Sequence, residues 1–172
     1  MTGPPPGGAP RLQGLAPVVG AEPRLLVLGS FPGAASLARA RYYAHPSNQF
    51  WPILGALLGE PLPDLPYEHR LERLRARRIA LWDVMSSCRR TGSLDSAIRE
   101  ASGNDFDALL ARAPSLAAVA FNGTTAARAR RWFEERGLST YVLPSTSAAH
   151  ASLAAVDKLR RWQVLRADGW TA

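Results

Sequence analysis

The chain has 172 residues, 47% of them hydrophobic and 20% charged, with a net charge of +7 and a pI near 10.7; this suits one domain with its own core and excludes a disordered chain. Cys88 is the only cysteine, and His45, His69 and His150 are scattered. That excludes an internal disulfide, a thiolate metal site and an iron–sulfur centre, so no metal or cofactor is expected. Lys158 is the only lysine, so chemistry through a Schiff base, which needs an amine nucleophile, is not expected either. A basic domain attracts polyanions, nucleic acid above all. There is no long apolar run and no charged-then-apolar N-terminal signal; the chain reads as a soluble, cytoplasmic monomer with no membrane partner.

Residues 1–23 are rich in Pro, Gly and Ala without periodicity and read as a disordered leader, leaving 24–172 as the folded domain. Four short apolar runs follow: Arg24–Gly29, Ile79–Val84, Leu116–Phe121 and Thr140–Leu143. Their apolar character is continuous rather than alternating, which predicts strands covered on both faces. Helices are predicted over Asn48–Leu58, Glu68–Arg77, Asp105–Ala111, Thr124–Arg136 and Ser152–Leu165, with Gly137 as a stop signal. Alternating strand and helix give an α/β class, a three-layer α/β/α sandwich around a mostly parallel four-stranded sheet. Such folds place their sites beyond the carboxyl ends of the strands.

The loops at those ends are unusual. After the first strand come Gly29-Ser30-Phe31-Pro32-Gly33 and, further on, Tyr42-Tyr43-Ala44-His45-Pro46-Ser47-Asn48-Gln49-Phe50-Trp51. Two tyrosines, a histidine and an amide just before a helix suit a site; equally, the tyrosines could be core, His45 a turn and Asn48 a helix cap. After the third strand, Asn122-Gly123-Thr124 presents an amide able to donate and accept, which suits the edge of a nucleobase. After the fourth, Pro144-Ser145-Thr146-Ser147-Ala148-Ala149-His150 offers hydroxyls and small residues, suited to close approach to DNA or simply to capping the last helix. Asp83 and Ser93-Leu94-Asp95, near the end of the second strand, are expected to shape a pocket floor. Arg89 and Arg90 are candidate backbone contacts. Arg128, Arg130 and Arg131 read first as a solvated helix face.

In this order, from about Arg24 to Gly169, the loops resemble the uracil-DNA glycosylase superfamily. The resemblance is greatest to the hypoxanthine-DNA glycosylase branch, whose first motif looks like Gly-Ser-Phe-Pro-Gly followed by Tyr-Tyr-Ala-His-Pro-x-Asn-x-Phe-Trp. Val142-Leu143-Pro144-Ser145-Thr146-Ser147 and Asp157-Lys158 look like the same group. In the mismatch-specific and uracil-specific branches the third residue of the first motif is Asn or Asp and positions water; here it is Phe31, which cannot orient water by hydrogen bonding.

The resemblance implies a monofunctional DNA glycosylase acting on double-stranded DNA with a deaminated base, hypoxanthine first. Asn48 would hold the attacking water and Asn122 would support it. Gly29, Ser30, Phe31, Tyr43, His45 and Phe50 would surround the flipped base, with Tyr43 stacking on it. Pro144, Ser145, Thr146, Ser147 and His150 would lie against the duplex. His45 and His150 are secondary candidates for a phosphate contact or leaving-group protonation. Phe31 counts against uracil excision by the familiar route and keeps open a non-catalytic lesion-binding module; a uracil/thymine mismatch-type enzyme is the other alternative. A generic α/β small-molecule enzyme is disfavoured, because no dinucleotide fingerprint, phosphate loop or nucleophile elbow is present.

Overall fold

The computed structural model describes residues 8–172. Its centre is a parallel sheet of four strands, β2 (Leu25–Gly29), β3 (Ile79–Asp83), β6 (Ala118–Asn122) and β7 (Ser139–Leu143), in the order β3-β2-β6-β7. β2 and β6 are buried at every position. Side chains alternate across β2, so Leu25 and Val27 enter one core and Leu26 and Leu28 the other.

The first core is closed by α2 (Phe50–Leu58), α3 (Tyr67–Ala76), α6 (Ala155–Trp162) and α7 (Val164–Ala167), through Phe50, Leu54, Leu71, Leu74, Trp162 and Leu165. The second is closed by α4 (Phe106–Arg112) and α5 (Arg130–Glu134), through Leu109 and Phe133. Helices on both faces of a parallel sheet are the three-layer sandwich expected from the apolar runs.

Two predicted helices are shorter than their sequence pattern. The Thr124–Arg136 segment divides into a 3₁₀ turn, Ala126–Ala129, and α5; the Ser152–Leu165 segment breaks at Gln163 into α6 and α7. A further short helix, α1 (Ala34–Arg39), follows the first glycine loop, too short to show periodicity.

The larger correction is at the N-terminus. Residues 1–7 of the expected leader lie outside the described residues, but from Ala9, whose carbonyl accepts from Arg89 at 2.9 Å, the chain is built into the fold. β1 (Arg11–Gln13) pairs antiparallel with β4 (Met85–Arg89), which also pairs with β5 (Arg99–Gly103) in a second, three-stranded sheet. Val18 is buried and bridges Leu81. The Leu15 carbonyl accepts from Trp82 Nε1 at 3.2 Å, and that of Ala16 from the Tyr42 hydroxyl at 2.7 Å. Main-chain pairing of this kind needs no side-chain alternation, so a Pro/Gly/Ala composition conceals it. Among the described residues, no helix is long and apolar enough to cross a membrane.

Candidate active site

β2 is the first strand of the parallel sheet; β3 is laid down on one side of it and β6 on the other. The strand order therefore reverses at β2/β6, and a crevice opens beyond their carboxyl ends. A cavity of about 540 Å³ occupies it, within the range of small-ligand sites. Gly29, Ser30, Phe31, Tyr43, His45, Asn48, Asn122, Ser145, Thr146, Ser147 and His150 all line it, as do Asp83, Ser93, Leu94 and Asp95. Of the residues expected at the site, Phe50 and Pro144 are the exceptions. Phe50 is fully buried and stacks behind Tyr43, ring centroids 3.9 Å apart at 22°. Pro144 supports the loop from behind, its carbonyl accepting from Trp162 Nε1 at 2.9 Å.

One chain of hydrogen bonds crosses the cavity. Asn122 Nδ2 donates to the Thr146 hydroxyl at 3.0 Å, while the Thr146 N–H donates to Asn122 Oδ1 at 2.9 Å. The Thr146 hydroxyl in turn donates to Asn48 Oδ1 at 2.8 Å. The Thr146 carbonyl accepts from Gln49 N, so the loop after β7 is pinned to the start of α2. Thr146 is wholly buried. It is therefore a bridge rather than the DNA contact expected from the loop, and Asn122 holds that bridge from the cavity wall.

Asn48 emerges with a defined polarity. Its Oδ1 accepts from both Thr146 and Phe50 N, the latter at 2.9 Å, so both carbonyl lone pairs are occupied. The Nδ2 protons remain to act in the cavity. Asn48 thus holds the first N–H of α2 from the residue before the N-cap Gln49, and at the same time lines the cavity with its amide nitrogen free of these contacts.

The floor is made by Gly29, Asp83 and Tyr43. A Cβ at position 29 would lie 2.5 Å from Asp83 Oδ1 and 3.2 Å from the Tyr43 hydroxyl, so only glycine lets both groups close over the strand end. Asp83 is 4% exposed. Burial, with Asp95 adding a like charge, pushes its carboxyl up to about 7. Tyr43 has a left-handed backbone, φ 54°, unusual for a bulky side chain and a local strain held by its surroundings. Burial and then Asp83 raise its phenol, and the Asn122 amide offsets part of that without reaching hydrogen-bond geometry.

Other expectations resolve locally. Phe31 lines the cavity but is 6% exposed, and the Arg90 guanidinium lies 5.2 Å from its ring centroid. Arg90 is not a DNA contact: it is buried and donates to the carbonyls of Pro32 and Gly92 at 2.6 and 2.8 Å, fastening the first loop. Arg89 pairs with Glu100. His45 Nδ1 accepts from Ser47 N at 3.1 Å, a turn contact, although the ring remains at the rim. Ser93 and Asp95 form a wall rather than the floor, tied by Ala34 N to Ser93 Oγ at 2.9 Å and Ser30 Oγ to Asp95 Oδ1 at 2.7 Å. Leu94, between them, is 55% exposed. Lys158 is buried and donates to the Ser147 carbonyl at 3.1 Å, a prop beneath the rim loop. Arg130 and Arg131 pair with Glu134 and Glu135 one turn on, a solvated helix face.

A second hollow of about 390 Å³ adjoins the first and shares Tyr42, Tyr43, His45 and Asn48 with it. Arg39, Arg41 and Arg70 line it. Among the described residues neither Arg39 nor Arg41 forms an ion pair with a carboxylate. No motif marks these arginines; the only signal was their position between the first loop and the double tyrosine.

The profile of the Uracil DNA glycosylase superfamily matches residues 16–166. A Methanosarcina barkeri protein named Hypoxanthine DNA glycosylase is 37% identical over 158 residues, covering 92% of this chain and 94% of its own length. A Methanosarcina acetivorans protein of the same name is 36% identical over 160 residues, covering 93% and 96%. The solution NMR structure of a Methanosarcina acetivorans protein provisionally described as a uracil DNA glycosylase superposes with a TM-score of 0.82 at 35% identity, over 91% of this chain and 96% of that one. With most of its length matched by the family profile and by relatives above 30% identity, the chain belongs to the uracil DNA glycosylase superfamily.

Proposed function

We propose that the chain is a DNA glycosylase that removes deaminated bases, hypoxanthine first, from duplex DNA by flipping the nucleotide into the β2/β6 cavity and hydrolysing its N-glycosidic bond. The observation that carries this reading is the Asn122–Thr146–Asn48 network, which fixes the Asn48 amide, its carbonyl fully engaged, beside a cavity large enough for a nucleobase. The names of the two Methanosarcina relatives support the substrate.

The target atom lies inside the base stack, so the nucleotide must leave the helix at a cost of a few kcal/mol, less for a mispaired base. Tyr43, backed by Phe50, then forms one wall against the extruded purine. As the glycosidic bond breaks, the sugar becomes cation-like and needs only a weak nucleophile. Asn48 Nδ2 donates to the water oxygen and leaves a lone pair free for C1′, so the amide positions the water and does not deprotonate it. Phe31 supplies apolar contact where other branches of the superfamily carry a water-holding side chain.

An excision panel tests the substrate: hypoxanthine, xanthine, uracil and thymine, each opposite every normal base, followed by hot alkali. Strand breaks at hypoxanthine are expected. Breaks at uracil alone would overturn the substrate, and tight binding without breaks would make the chain a lesion-binding module.

The adjoining arginine hollow gives a separate expectation. If Arg39 and Arg41 each neutralise a phosphate beside the flipped nucleotide, replacing both with alanine reduces the slope of log K against log salt by about 2. Choice of base is unaffected, because phosphate contacts position and base contacts specify. An unchanged salt slope, measured by fluorescence anisotropy on undamaged duplex, removes these arginines from the interface.

A further inference from the structure

Two polar groups at the cavity floor have no partner inside the protein. Asp83 Oδ2 and the Tyr43 hydroxyl are both enclosed, and among the described residues no hydrogen-bonding group reaches either. A buried carboxyl kept only for the fold is normally satisfied, since burial without a partner costs stability. Here the backbone has been cleared to admit it: glycine at position 29 is what allows Asp83 Oδ1 to approach the end of β2. The carboxyl lines the cavity in which the base is proposed to sit, and no cation compensates it; the charged group that acts on it is Asp95, of the same sign.

We infer that Asp83 is the acid that protonates the departing purine at N7. The inference rests on the reading of the chain as a glycosylase that accepts hypoxanthine. As the C1′–N9 bond breaks, its electron pair passes to N9 and into the imidazole ring. The Asp83 proton goes to N7, so hypoxanthine leaves neutral as its N7–H tautomer and Asp83 is left as a carboxylate. Water adds to C1′, and the proton it sheds returns to the carboxylate through solvent, restoring the acid. A purine departs poorly as an anion, and among the described residues no lysine or arginine lines this cavity to receive it; a proton from the floor supplies the missing stabilisation.

The carboxyl keeps its proton up to about pH 7, within the working range of such an enzyme. The other titratable groups around it are Tyr42 and Tyr43, both held neutral there by burial, Asp95 on the wall, and His45 and His150, which line the same cavity.

The test is single-turnover excision of hypoxanthine and of 7-deazahypoxanthine, which lacks N7, from otherwise identical duplexes between pH 5.5 and 9. The wild-type rate on hypoxanthine should be level below about pH 7 and fall about tenfold per unit above it, following the carboxyl shifted by burial. Asp83→Asn should be at least about a hundredfold slower at pH 6 and independent of pH. On the deaza substrate the wild type should be as slow as the variant. His45→Asn and His150→Asn should keep the wild-type midpoint, whatever their rates. Equal wild-type rates on the two bases, or a level profile to pH 9, would overturn the role of Asp83. Both readouts use the wild-type protein, so they decide even where the variant does not fold. No excision of hypoxanthine at any pH would instead remove the substrate reading, and this inference with it; excision with no N7 dependence removes this inference alone.

Discussion

Asn48→Asp should lose excision as completely as Asn48→Ala, by about two to three orders of magnitude in single turnover, the usual cost of losing one positioned donor. The expectation follows from the polarity of the amide. Oδ1 is occupied by the Thr146 hydroxyl and Phe50 N at 2.8 and 2.9 Å, and an aspartate of the same shape can keep both contacts. What it cannot keep is the Nδ2 donor. If the amide holds water by donating, aspartate fails despite being the stronger base. If aspartate matched or exceeded the wild type, Asn48 would be acting as an acceptor, and the reading given above would be wrong. Thr146→Val supplies the intermediate case. It leaves Asn48 in place but removes one of the two contacts of its carbonyl and leaves Asn122 Nδ2 unpaired, so the amide is held less firmly. A loss of about tenfold to a hundredfold is expected, the usual scale for a residue that orients another, with about 1–3 kcal/mol of stability lost to the unpaired groups.

Asp83→Asn should make the protein more stable at pH 8 while disabling it. The Asp83 carboxyl stands at about 7 in the fold against 3.8 as its ordinary value. Between about pH 4 and pH 7 the folded protein therefore binds the extra proton. The Asp83 contribution to stability is most favourable below that window, falls as pH rises through it, and stays low above it. At 1.36 kcal/mol per unit the penalty at pH 8 reaches at most about 4 kcal/mol, reduced by whatever water the open side of the cavity admits. Asparagine carries no charge at either pH. Its melting temperature should exceed the wild type's by several degrees at pH 8 and differ little at pH 4.5. Equal melting at pH 8, with both proteins folded, would show that the carboxylate is solvated in place. A group that destabilises the fold when ionised, yet lies in the site, fits the usual exchange of stability for function.

Much of the architecture was legible in the sequence because the parallel strands are covered on both sides. Leu25–Leu28 and Ala118–Phe121 must be continuously apolar to be buried at every position, and a continuous apolar run survives in the sequence as a strand signal. The polar residues at the ends of these strands and of β3, Ser30, Asn122 and Asp83, followed from the rule that such sheets place sites at their carboxyl ends. β1, β4 and β5 left no comparable trace. They are held by main-chain pairing with mixed or polar side chains, and only the partner strand shows that Arg11–Gln13 is a strand at all.

Within the site, the sequence by itself determined which residues gather at the strand ends, since loop position follows from strand position. What each polar group does there was decided by the tertiary structure, because a hydrogen bond is a contact between residues distant in the chain. Thr146 is 98 positions from Asn48 and 24 from Asn122, and it converts one amide into a brace and the other into a donor. Phe50 passed behind Tyr43 because α2 turns its apolar face to the core. Gly29, Tyr43 and Asp83 each stood out in the sequence, but only their closure over the end of β2 isolates the carboxyl and pushes its titration up to about 7.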